Sequence, residues 1–214
     1  MSYLQINDFD AELEQLQLKH GNPSICSING AGCIDNPRLF LLFMNPTAKN
    51  VSANKNWRGL RAPWIGTKNI WKLLLKLNLI DKEQFDKTQK LKPTEWTTDF
   101  AESLYKTLAN NKIYLSNLAK CTQDDARPLK NAVFREYLEL TKKEVYKVSA
   151  INIVSFGVQV SEILLGKKIE LKSSTEEELV IEDKKFNIYP TYYPVGQGMR
   201  NMGKAVERIS ALLG

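Results

Sequence analysis

Two asparagines stand just past apolar runs: Asn45 after Leu39–Met44, and Asn117 after Lys112–Leu115. A carboxamide offers two N–H donors and one carbonyl acceptor on a neutral plane. It is a poor general base, and its chemistry is orientation rather than proton removal. The remaining polar residues narrow the choice. His20 is the single histidine and falls in the first helical segment, away from every strand end. Ser-His-Asp and Cys-His catalysis and a histidine-based zinc site are thereby set aside. Gly157 and Gly166 are too widely spaced for a phosphate loop, and no GxGxxG occurs. Asp124-Asp125 reads as a solvated turn before Pro128, and Glu176-Glu177-Glu178 as a solvated face.

The elements that must position these asparagines follow from hydrophobic periodicity. Residues 8–19 read as a helix, followed by a loop rich in Gly, Asn, Pro and Ser up to Pro37. Leu39–Met44 is wholly apolar and too short for a helix, as a strand buried on both faces should be. The polar stretch Thr47–Pro63 is far longer than an ordinary connection, and loops of that length usually carry function. Helical spacing returns from Thr67, where Ile70, Leu73, Leu74 and Leu77 share a face, and again over 98–109. Lys112–Leu115 is a second strand, 131–147 a helix, Ala150–Phe156 a third strand and Gln159–Leu165 a short helix. Residues 168–186 alternate charged and apolar side chains and read as a peripheral hairpin. Phe186–Pro190 is a fourth strand, and Asn201–Leu213 a closing amphipathic helix.

Strands alternating with helices predict an α/β fold, a three-layer α/β/α sandwich around a four-stranded, mostly parallel sheet. In such sheets ligands bind at the carboxyl ends of the strands. Those ends are Asn45-Pro46-Thr47, Asn117 to Lys120, Phe156-Gly157 and Tyr192-Tyr193-Pro194.

Composition bounds the class. The 214 residues suit one domain, 1–214, with an N-terminal helix and loop over 1–37 and a core over 38–213. A hydrophobic fraction of 43% is ample for a core without staples. Thirty Lys and Arg against twenty-four Asp and Glu give +6, a balance that suits a polyanion. Three cysteines are too few for a disulfide framework, and the acidic start lacks the pattern of a signal peptide. No apolar run is long enough for a bilayer. An intracellular, soluble monomer with no membrane partner is expected.

At the strand ends the chain resembles the uracil-DNA glycosylase superfamily. Leu39 to Thr47, LFLLFMNPT, resembles the first motif of that superfamily, an apolar strand ending in Gly-x-Asn-Pro-Gly, in the Asn form of the mismatch-specific and single-strand-selective branches. Ala62-Pro63-Trp64-Ile65-Gly66, followed by Asn69-Ile70-Trp71, is similar to the segment whose aromatic packs on the base. Tyr114 to Cys121, YLSNLAKC, with Arg127-Pro128 nearby, is similar to the base-reading strand of the thermophile-type branch. Pro190 to Val195, PTYYPV, stands where the family has Thr-Tyr-His-Pro-Ser, and Gly196 to Asn201 is like the loop that enters the minor groove. The resemblance runs in order over residues 38 to 213.

It implies a monofunctional glycosylase of base excision repair that hydrolyses the N-glycosidic bond of uracil, or a related deaminated base, flipped out of DNA. Asn45 would position the water and Tyr193 would take the catalytic place of the motif histidine. Asn117, Trp64 and Met44 would bind the base, Asn117 through its O4 and N3–H edge and Trp64 by stacking. Arg58, Arg61, Lys120, Gln197, Met199 and Arg200 would contact DNA, Met199 and Arg200 as the wedge. On the long loop Lys49 and Lys55 would join Arg58 and Arg61 in lining the DNA.

The chain departs from the family at defined places. Tyr193 replaces the histidine that donates to the uracil O2, and Phe43 and Thr47 replace glycines of the first motif. The thermophile-type branch carries a four-cysteine iron–sulfur cluster; here Cys26, Cys33 and Cys121 lack a fourth ligand, with Phe134 near its place, so no cofactor is expected. The alternative reading is a DNA- or nucleotide-binding module of the same fold with weak or absent chemistry.

Overall fold

The computed structural model describes residues 4–126, 129–173 and 175–214, apart from the side chain of Gln197. The Arg127-Pro128 turn and the Gln197 side chain therefore lie outside the described residues.

In chain order the elements are α1 (Asp10–His20), β1 (Ala31–Gly32), β2 (Leu39–Phe43), α2 (Asn69–Lys76), α3 (Lys82–Lys90), α4 (Thr98–Asn110) and β3 (Ile113–Asn117). They continue with α5 (Asn131–Val148), β4 (Asn152–Phe156), α6 (Val158–Leu165), β5 (Glu177–Ile181), β6 (Lys184–Thr191) and α7 (Met202–Leu213). The sheet order is β1-β3-β2-β4-β6-β5. Its four central strands are the four expected ones, and they are parallel. The sheet has six strands rather than four, because β1 and β5 add antiparallel edges. β1 pairs over two residues only, too short to leave a pattern, and comes from the segment that reads as loop.

β2 shows how the sequence builds the three layers. All five of its residues are buried, and alternate side chains go to opposite faces. Leu39, Leu41 and Phe43 join one core with Ile70 and Leu74 of α2, Leu104 of α4 and Ile209 of α7. Phe40 and Leu42 join the other with Leu13 of α1, Phe134 and Val145 of α5 and Val160 of α6. α3 has no apolar periodicity to betray it: KEQFDKTQK buries only Thr88. It is set instead by a capping box, in which Asp81 accepts from the Gln84 amide at 2.7 Å and Gln84 reaches back to the Asp81 N–H.

β2 lies between β3 and β4, so the chain leaves it in one direction and returns on its other side. That reversal opens a crevice at the carboxyl ends of the strands. The registers Phe43↔Asn117 and Phe156↔Thr191 bring the four strand ends level there. Among the described residues no helix is long and apolar enough to cross a membrane.

Candidate functional site

A cleft of about 710 Å³ opens at these strand ends. Met44, Asn45, Trp64, Asn117 and Tyr193, from four separate stretches of chain, all line it. The two asparagine loops are zipped together beyond their strands: Leu118 N–H donates to Phe43 O at 2.8 Å and Ala119 N–H to Met44 O at 3.0 Å. A parallel bridge between Thr47 and Gln123 closes the pairing. Asn45 is half-buried, and its amide nitrogen donates to the Pro46 carbonyl at 3.1 Å, which fixes the plane of the carboxamide.

Asn117 is 2% exposed, and its side-chain nitrogen is buried with no acceptor in reach. An unsatisfied buried donor costs about 1–3 kcal/mol, and of the six buried side-chain polar atoms without a partner among the described residues only those of Trp64 and Asn117 belong to residues that line this cleft. The backbone carbonyl of Asn117, by contrast, is satisfied. It accepts from Lys120 Nζ at 2.6 Å, and Lys120 also pairs with Glu144 at 2.8 Å and donates to Ser116 Oγ at 3.1 Å.

The aromatic wall rests on Phe43. Its ring stacks on Phe156 at 4.4 Å and meets Trp64 and Tyr193 edge to face, at 5.0 and 6.4 Å. Phe43 therefore fills the space between these three rings. Trp64 has φ +71°, a conformation uncommon for a bulky residue and one that clusters at functional sites. Thr67 holds it there, donating both N–H and Oγ1 to the Trp64 carbonyl. Gly66, at φ +85°, packs against Val51 where a β-carbon would clash. Tyr193 is fixed from below by Phe43 and from the side by Gly198. Burial pushes its phenol well above the ordinary value, so it stands as a neutral donor at physiological pH.

Lys49 and Lys68 line the mouth, and no carboxylate does so among the described residues. Lys68 is exposed and spends one of its three donors on the Gln89 carbonyl, at 2.6 Å. Nothing in its own sequence marks Lys68; its place one residue before α2, beside the predicted aromatic segment, is the available signal. Phe43, buried and central to the wall, carries in the sequence only the mark of an apolar strand residue.

The expected DNA contacts divide. Met199 and Arg200 are exposed on the turn Gly196–Asn201, next to the cleft-lining Val195, Gly196 and Gly198. Arg58 is exposed on the long loop but does not line the cleft. Lys120 is corrected: at 2% exposure, with its ammonium committed to Glu144, Ser116 and Asn117, it cannot meet a phosphate. Arg61 is corrected as well. Its guanidinium donates to the carbonyls of Ser52, Asn54 and Trp57 at 2.6, 2.9 and 3.0 Å, folding the long loop rather than facing the cleft. Lys55 donates to the Pro23 carbonyl at 2.9 Å and, with Arg61, lines a separate hollow beside α1.

Cys26, Cys33 and Cys121 are free thiols, and among the described residues no group of three or more His, Cys, Asp or Glu is placed to hold a metal ion. Cys121 is buried, which pushes its thiol above the ordinary range. No protein-family model matches the chain, and no curated protein matches it in sequence.

Proposed function

We propose that the protein is a monofunctional DNA glycosylase that hydrolyses the N-glycosidic bond of uracil or a related deaminated base flipped out of DNA. The observation that carries this reading is the buried, acceptor-free amide of Asn117 in a cleft shared with Asn45, Trp64 and Tyr193. A uracil O4 would supply the missing acceptor and its N3–H would donate to the Asn117 oxygen, a pattern that cytosine reverses.

The chemistry asks little of titrating groups. The bond from C1′ to N1 breaks with its electron pair passing to the base, where donors at the carbonyl oxygens hold the developing anion. Water held by Asn45 adds its oxygen to C1′ and releases a proton to solvent. Tyr193 supplies a neutral O–H donor. Trp64 covers the base and Met44 borders it. Lys120, fully committed to three acceptors, supplies no amine nucleophile for a lyase step. Lys49 and Lys68 place positive charge at the mouth, which suits a phosphate backbone.

One observation favours a second reading, a DNA- or nucleotide-binding module with weak chemistry: Tyr193 stands where the family has histidine. Loss of one well-placed donor costs about 3 kcal/mol in the transition state. Single-turnover assays on oligonucleotides carrying uracil, hypoxanthine, xanthine or a mismatch, each followed by alkali, separate the two. Base release supports the glycosylase. Tight DNA binding with no release at any of these bases supports the binding module.

A further inference from the structure

We infer that the buried Lys120–Glu144 ion pair is a positioning device for Asn117, setting the direction of its carboxamide in the cleft. The inference rests on the reading of Asn117 as the ligand-reading residue, although the pair's effect on Asn117 can be measured without any ligand.

Two charges at 2% exposure need an explanation, because a buried ion pair contributes little stability over apolar side chains of similar volume. This one is built with every group matched. Glu144 accepts from Tyr114 OH at 2.9 Å and from Ser116 Oγ at 3.0 Å, as well as from Lys120. Gly30 leaves the room, since a β-carbon there would collide with the Glu144 carboxylate and the Tyr114 hydroxyl. Tyr114 and Ser116 belong to β3, Glu144 to α5 and Lys120 to the turn after β3. The network therefore ties one strand, its following turn and the covering helix together. Its remaining bond goes to the Asn117 carbonyl, at 2.6 Å.

The consequence is local. β3 ends at Asn117, and beyond it the chain needs a partner for that carbonyl. Lys120 supplies it from three residues on, closing a ring that fixes the peptide plane from which the Asn117 side chain departs. A carboxamide discriminates donor from acceptor only when its plane is fixed, and small misplacements in a site cost rate steeply. Lys120 is thus a positioning residue, and Glu144 holds Lys120.

The test uses the full chain with Lys120→Met and Glu144→Gln together. The glutamine still accepts from Tyr114 and Ser116, and the methionine fills the volume without leaving a lone buried charge. Thermal melting verifies the fold. The first readout is ligand-free: nuclear magnetic resonance of the Asn117 side-chain amide and hydrogen exchange over residues 117–120. The inference expects the Asn117 amide signals to move or broaden and exchange in this turn to speed up while the remainder of the sheet is unchanged. Wild-type signals and exchange in the folded double variant would overturn it. The second readout is single-turnover release of uracil, expected to slow about 100-fold with unchanged DNA affinity. A wild-type protein that releases no base at all refutes the glycosylase reading, and the first readout still decides the positioning role. Should the double variant not fold in buffer alone, the same double variant is read by the same exchange measurement under stabilising osmolyte, with the same two outcomes.

Discussion

Gly198 and Tyr193 touch backbone to backbone: a β-carbon at 198 would stand well inside 3.0 Å of the Tyr193 carbonyl oxygen. The turn that ends the sheet is thereby folded under the residue that lines the cleft, and only glycine permits the approach. Tyr193 is reached from the other side by the Phe43 ring, so its position is set by two neighbours of different kinds.

Gly198→Ala is expected to displace Tyr193 and to lower stability by about 1–3 kcal/mol, as overpacking against a fixed neighbour does. Gly203 provides the contrast. It lies in α7, and a β-carbon there meets nothing within 4 Å. Gly203→Ala should raise stability by up to about 1 kcal/mol through helix propensity. Chemical denaturation of both variants checks the pair; equal effects would mean that the backbone beside Tyr193 is slack.

Burial raises the phenols of Tyr105, Tyr114 and Tyr193 above their ordinary 10.0, with Glu144 adding to the rise at Tyr114. The folded protein then keeps protons that the unfolded chain releases from about pH 10 upward. This contribution is fully present below that pH and is lost as pH rises. Denaturation midpoints at about pH 8 and about pH 11 should therefore fall on the alkaline side, and fall less in Tyr193→Phe. Base release, if Tyr193 is its neutral donor, should show no alkaline limb from this residue below about pH 10.

DNA affinity should weaken with salt. Lys49→Ala together with Lys68→Ala should flatten the slope of log K against log salt by about 0.9 for each phosphate left without its cation. Arg61→Ala is expected to behave differently, leaving the slope unchanged while costing about 1–3 kcal/mol of stability. Three loop carbonyls are deprived of their donor in that variant. A reduced salt slope in Arg61→Ala would show that its guanidinium reaches DNA after all.

The contrast between these cations marks how far the sequence can be read. The four central strands are legible because runs such as Leu39–Phe43 are too short and too apolar to be anything else. Their ends then locate Asn45, Asn117 and Tyr193, since a parallel sheet gathers its carboxyl ends. The partners of charged residues are not legible, because Lys120 and Arg61 look like surface cations until their acceptors are placed. A signal does exist for the first. Phe134, Tyr137, Thr141, Val145 and Val148 mark the buried face of α5, and Glu144 falls on that face. A carboxylate there requires a buried partner, and Lys120 sits between Ala119 and Cys121, both buried.

Asn117→Asp gives the sharpest test of the site. The variant keeps shape and volume but replaces the acceptor-free N–H donor with a second oxygen. A uracil O4 would then face an acceptor, and a carboxylate would oppose the anion that forms on the departing base. Release of uracil should fall by about 100-fold or more, the effect of removing one oriented donor, while affinity for DNA holds. Cytosine should become a weak substrate, because its exocyclic amine can donate to the new oxygen. A purely structural Asn117 predicts another pattern: a loss of stability from the buried carboxylate, with an equal reduction on every base. Single-turnover release of uracil and of cytosine, with thermal melting of the same preparation, tells them apart. A well-folded Asn117→Asp protein that releases uracil at the wild-type rate would remove this residue from base recognition, and with it the main support for the cleft as a base pocket.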